Sequence, residues 1–120
     1  MTNELKPNNT QEQTWAMVIH LSALIGLLLP LGLVLGPLLV WILKRNDSPF
    51  LNREGKKAVN FQLTILIVAF VIGLVSTIIR PLLAIAFVVG LAGLIFAVMA
   101  GVAVNNGKDY KYPFTFNILK

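Results

Sequence analysis

GLLLPLGLVLGPLLVW, residues 26–41, is apolar throughout, yet proline and glycine interrupt it at Pro30, Gly32, Gly36 and Pro37. Two readings follow. As one helix, the apolar run around it (residues 15–43) would extend about 43 Å, longer than the bilayer's hydrocarbon core and in need of tilt. As two pieces, about 15–29 and 33–44, each would measure roughly 18–22 Å, too short for an untilted crossing. Interior proline removes a backbone hydrogen bond and clashes with the preceding turn. A broken helix is tolerated in lipid only where protein or water satisfies the freed groups. Nearby polar side chains favour a reversal at Pro30 to Gly32, within a helix break that also takes in Gly36 and Pro37. Trp15 and Trp41 would then share one interface. His20 and Ser22 would fall at the depth of Asn60 and Gln62, where the four could hydrogen-bond to one another.

The composition places the chain in lipid. Of its 120 residues, 57% are hydrophobic and 12% charged, against roughly 25% charged in soluble domains. Three runs lack Asp, Glu, Lys and Arg altogether: residues 15–43, 58–79 and 81–104. About 20 such residues suffice to span the hydrocarbon core as a helix. The N-terminal MTNELKPNNTQEQ carries one lysine against two glutamates and no cleavage pattern, so it does not read as a signal peptide. Cysteine is absent, which removes thiolate catalysis and Cys-based metal sites.

The net charge of +5 is concentrated beside the apolar runs. Lys44, Arg45, Arg53, Lys56 and Lys57 flank the loop KRNDSPFLN, and Lys108, Lys111 and Lys120 lie in the C-terminal tail. This is the positive-inside pattern of a membrane protein facing anionic headgroups, not a nucleic-acid surface. In the loop, Asn52 is a candidate N-cap, with Glu54 near the positive end of the helix dipole. A helix over about 53–79 ends at Arg80-Pro81, and another over 82–104 stops at Asn105-Asn106-Gly107. These two form a hairpin that puts the basic loop (44–57) and the tail on one, cytoplasmic, side.

The expected architecture is an all-α integral membrane bundle of four helical segments. A broken pair comes first and a transmembrane hairpin second, between a flexible tail (1–14) and an extended interfacial tail (106–120). The N-terminus is expected on the cytoplasmic side of the cell membrane. In that last tail Tyr110, Tyr112, Phe114, Phe116 and Ile118 alternate with other residues, a period of two that predicts one aromatic face packed on headgroups or on KRNDSPFLN.

Site chemistry is sparse. His20 has no second histidine, cysteine or intramembrane carboxylate with which to hold a metal or relay protons. Asn60 shares a helix face with Thr64, and together with His20, Ser22 and Gln62 these residues read as interhelical hydrogen-bonding groups. Ala86, Gly90, Gly93, Ala97 and Ala100 recur at alternating spacings of four and three, a seam of small residues that lets helix backbones approach. No nucleophile motif and no phosphate-cradling glycine loop occurs, so neither enzyme activity nor a cofactor is expected.

The run GPLLVWILKRNDSPFLNREGKKAVNFQLT (36–64), with HLSAL (20–24) and YKYPFTFNILK (110–120), resembles a family of small bacterial membrane proteins similar to the magnetosome protein MamF. More distantly it resembles the channel-forming component of the plastid inner-envelope Tic translocon. The resemblance implies three or four helices and carries no catalytic motif. Two functions are therefore expected: a non-enzymatic scaffold or assembly subunit, in a homo-oligomer or with another membrane protein, or alternatively a pore or translocation component.

Overall fold

The computed structural model describes residues 6–120. Four α-helices follow in order: α1 (Thr10–Leu21), α2 (Gly32–Lys44), α3 (Pro49–Val75) and α4 (Leu82–Asn105). A 3₁₀ segment, Ser22–Leu27, continues α1. No strand occurs among the described residues.

α1 begins at Thr10, so part of the expected flexible tail is helical. Asn9 caps it: its side chain accepts from the Glu12 N–H at 2.9 Å, while Glu12 reaches back to the Asn8 N–H at 3.1 Å. This is close to a capping box and satisfies two donors that a helix start leaves orphaned.

The chain reverses at residues 28–31. Lys44 Nζ lies 3.9 Å above the Trp15 ring, which puts the start of α1 beside the end of α2. The glycines of the opening stretch make the reversal tight. A Cβ on Gly36 would sit 2.1 Å from the Ser22 carbonyl oxygen, and one on Gly32 would sit 2.6 Å from that of Ile25. No other residue type leaves room for such backbone contact. Pro37, expected within the break, lies inside α2 and is buried. The break is confined to residues 28–31.

α3 starts at Pro49, earlier than the expected 53, because Ser48 and not Asn52 is the N-cap. Ser48 Oγ accepts from the Leu51 N–H at 3.1 Å, and proline suits the first helical turn, where its missing N–H costs nothing. Asn52 Oδ1 instead accepts from the Trp41 indole N–H at 2.9 Å. The Trp41 ring rests on Gly55, where a Cβ would come within 2.1 Å of it. Trp41 is thus 8% exposed, a buried lock between α2 and α3. α3 ends at Val75, short of the expected 79. There the Ser76 and Thr77 hydroxyls donate to the Gly73 and Leu74 carbonyls at 2.6 and 2.7 Å, competing with the helix's own bonds.

α4 stops at Asn105. Gly107 takes φ 80°, and the Gly107 and Lys108 amides donate to the Val104 and Ala103 carbonyls at 3.0 and 2.9 Å, a Schellman cap. The small-residue seam is buried only along its lower half, at Gly93, Ala97 and Ala100. Gly93 abuts Ile65 of α3, and Gly101, outside the predicted seam, seats Leu21 of α1. Ala86 and Gly90 instead line an open apolar groove of about 580 Å³, shared with Gly26, Leu33 and Phe70. The groove exists because the first hairpin is shorter than the second.

If Gly36 is the hinge of the reversal, Gly36→Ala should lower unfolding stability in detergent by about 1–3 kcal/mol, as overpacking does. Gly73→Ala is the control: an added Cβ there meets nothing within 4 Å. It should be neutral or stabilise by up to about 1 kcal/mol through helix propensity. Equal melting of Gly36→Ala and wild type would remove the hinge.

Candidate functional site

The basic end of the bundle holds a buried polar network. The end of α1 delivers His20, the first turns of α3 deliver Arg53, Glu54 and Lys57, and the tail delivers Asp109, Tyr110 and Tyr112. His20 Nε2 stands 2.8 Å from Glu54 Oε1 and Nδ1 stands 2.7 Å from the Tyr112 hydroxyl. His20 and Glu54 are both fully buried. With Glu54 ionised, Nε2–H donates to it and Nδ1 accepts from the tyrosine O–H, so both ring nitrogens are satisfied. Burial, and then the Glu54 charge, push the Tyr112 pKa well above its usual value, so that hydroxyl keeps its proton. Its ring stacks on Phe61 with centroids 4.0 Å apart and planes 15° apart.

Around this centre the charges alternate. Glu54 Oε2 takes Lys57 Nζ at 2.9 Å and Arg53 Nη2 at 3.1 Å. Asp109 Oδ1 pairs with the same Arg53 nitrogen and, at 3.1 Å, with Lys57 Nζ. Lys57 also donates to the Tyr110 carbonyl at 2.7 Å. Burial raises the Asp109 carboxyl's pKa, but hydrogen bonding and charge from Lys57, with Arg53 behind them, more than offset this and hold it below its ordinary value.

Beyond Tyr112 the tail hooks along α3. The Phe116 amide donates to Thr64 Oγ1 at 2.7 Å. The Asn60 side chain clasps Leu119 twice, accepting from its N–H at 2.7 Å and donating to its carbonyl at 2.9 Å. The tail therefore packs on α3, not on KRNDSPFLN. Its aromatics do not form one face either: Tyr112 is buried, whereas Phe114 and Phe116 are exposed.

The five predicted intramembrane polar residues do not form one cluster. His20 bonds Glu54 and Tyr112, Ser22 bonds the Ile19 carbonyl at 2.7 Å, and Gln62 Nε2 bonds the Gly93 carbonyl of α4 at 3.0 Å. Only Thr64 and Asn60 meet, through the Thr64 hydroxyl and the Asn60 carbonyl at 2.8 Å. The predicted basic set divides. Lys44 and Arg45 cover Trp15 and Trp41, while Arg53, Lys56 and Lys57 line a cleft of about 370 Å³ against the tail. Glu54, the carboxylate that the sequence reading denied to His20, lies 34 positions away. Its only local signal was a lone acid among basic residues. Among the described residues, no group of three or more His, Cys, Asp or Glu side chains stands close enough to share a metal ion.

Fold and network define a small all-helical bundle with two helices of membrane-crossing length and apolarity, clasped by its own C-terminal tail. Residues 11–119 match the model of the magnetosome magnetite crystal formation protein family, and the chain belongs to that family. No curated protein and no solved structure matches it. The family match carries the MamF likeness, not the likeness to the Tic component.

Tyr112→Phe keeps the stacked ring but leaves the buried His20 Nδ1 without a partner. It should cost about 1–3 kcal/mol, the desolvation penalty of an unsatisfied group, and speed hydrogen exchange at the Phe116 and Leu119 amides. Unchanged exchange would detach the tail from His20. A second expectation concerns pH. Because Asp109 has a folded pKa below its ordinary 3.8, its contribution is complete above that value and disappears as pH falls through the lower, folded one. Protection of the tail amides, taken against their intrinsic exchange rates, should fall over that acid range, and Asp109→Asn should show the lower protection already at neutral pH.

Proposed function

We propose that the protein is a non-enzymatic, polytopic membrane subunit that acts by packing against other components as a scaffold. In this reading α3 and α4 cross the bilayer, and the α1–α2 hairpin enters and leaves from the basic side. The N-terminus, the loop 44–57 and the tail then share the cytoplasmic face. The observation that carries the reading is the surface of α4. Its most apolar window, of mean hydropathy 2.8, is only 11% buried by the rest of the chain. Leu83, Ile85, Phe87, Leu91 and Ile95 all point outward, at 49–71% exposure. In water so continuous an apolar surface would be costly at roughly 25 cal/mol per Å²; in lipid or against a partner helix it is not. At 1.5 Å per residue α3 and α4 extend about 40 and 36 Å, enough for the core and its margins.

The buried His20, Glu54 and Tyr112 are turned upon one another. His20 and Glu54 have no route to a substrate, which supports a structural role over a catalytic one. Membership of the magnetosome magnetite crystal formation family supports a role for such a scaffold in biomineralisation at a membrane, exerted through the assembly it joins.

Single cysteines in this cysteine-free chain test the topology. In intact cells an impermeant thiol reagent should label Thr77→Cys, in the turn between α3 and α4, and spare Lys6→Cys and Asn46→Cys. Alkaline carbonate should leave the protein in the membrane pellet. Labelling of Lys6→Cys, or release by carbonate, would contradict the reading, and ion or peptide flux through liposomes holding the pure protein would favour a pore instead.

A further inference from the structure

The cleft between α3 and the tail is built from cations with donors to spare. Arg53, Lys56 and Lys57 come from α3 and Lys111 from the tail, against the single carboxylate of Asp109 in the lining. An ammonium carries three donors and a guanidinium five. Lys57 is saturated by Glu54, Asp109 and the Tyr110 carbonyl. The others are not. Lys56 makes one hydrogen bond, to the main-chain oxygen of Lys120 at 2.8 Å. Lys111 makes no side-chain hydrogen bond among the described residues. Arg53 Nε is buried and has no partner among them.

The acceptors nearby are already engaged. Glu54 and Asp109 are held by Arg53 and Lys57, and Asn60 is occupied on both sides by Leu119. What the cleft lacks is an oxyanion with several acceptor atoms. A phosphate fits that description, since arginine and lysine together offer it charge-assisted bonds. Phe114 and Phe116, exposed on the adjacent stretch of tail, give an apolar flank for whatever the phosphate is attached to.

We propose that this cleft is a phosphate-binding site, with Arg53, Lys56 and Lys111 as its ligating residues and the headgroup of an anionic phospholipid as its occupant. The assignment of a lipid source rests on the membrane reading; the phosphate chemistry does not. Because Lys111 belongs to the tail, the site is complete only when the tail is docked, so occupancy holds the tail on α3.

The test is a thermal-shift titration of the purified full chain in neutral detergent. The probes are short-chain phosphatidylglycerol, short-chain diacylglycerol lacking phosphate, and inorganic phosphate. A ligand that binds the folded state alone raises the melting midpoint by mass action. Phosphatidylglycerol should raise it and diacylglycerol should not. Lys56→Gln/Lys111→Gln should bind roughly thirtyfold more weakly, as expected for two lost headgroup cations. Lys108→Gln, which removes the same charge outside the cleft, should behave as wild type. A shift with inorganic phosphate of equal size would keep the site and assign it to free phosphate. No shift with either phosphate, or the same shift in the double variant as in wild type, would overturn the proposal. Carbonate extraction judges the membrane reading separately, so the two can fail independently.

Discussion

The backbone of Gly36 lies against the Ser22 carbonyl so closely that a Cβ there would come within 2.1 Å of the oxygen. That contact holds the chain's reversal at residues 28–31 and decides what the remaining elements can reach. Once residues 10–44 fold back on themselves, the end of α1 stands level with the start of α3, and His20 meets Glu54. A straight crossing would carry His20 away from any acid. Trp41 over Gly55 and Leu21 over Gly101 then fix the hairpin against α3 and α4 in the same way, a large side chain seated where a glycine leaves backbone bare. In lipid, where no hydrophobic driving force acts between helices, packing of this kind would take its place.

The polar network is the second consequence. A fully buried histidine is costly unless both nitrogens are bonded, and one helix pair supplies only Glu54. The remaining partner comes from the tail, as Tyr112. The tail is in turn kept in place by Lys57, Asn60 and Thr64, whose side chains serve its backbone as a neighbouring strand would. Reversal, network and tail are thus links in one dependency, and the basic cleft exists only at its end.

Much of the fold was legible because its causes are local. Pro30 and Gly32 mark the reversal, Asn105-Asn106-Gly107 marks the Schellman stop, and long uncharged runs mark α3 and α4. Some local signals were present and misread. Asn9 with Glu12 is a capping pattern hidden in a polar segment, and Ser48-Pro49 is an N-cap followed by an N1 proline that resembled an ordinary turn. The site was less legible. His20 and Glu54 meet only through tertiary structure, and a lone glutamate among lysines reads as a dipole partner. The tail's aromatic density announced docking, but an alternation of two says nothing about which ring finds a stacking surface, and it is Phe61 that stacks on Tyr112. Gly90 and Ala86 extend the seam in sequence beyond the reach of the first hairpin in space.

A distance across the first hairpin tests the reversal most directly. Thr14 and Arg45 are both exposed, near the start of α1 and just past the end of α2. Nitroxide labels at these two positions, in protein reconstituted in lipid, can be measured by double electron–electron resonance. Adjacent helix ends lie about 8–10 Å apart, so with the labels' own reach a narrow distribution below about 20 Å is predicted. A distribution near 47 Å, the length of about 31 residues in a continuous helix, would contradict the account.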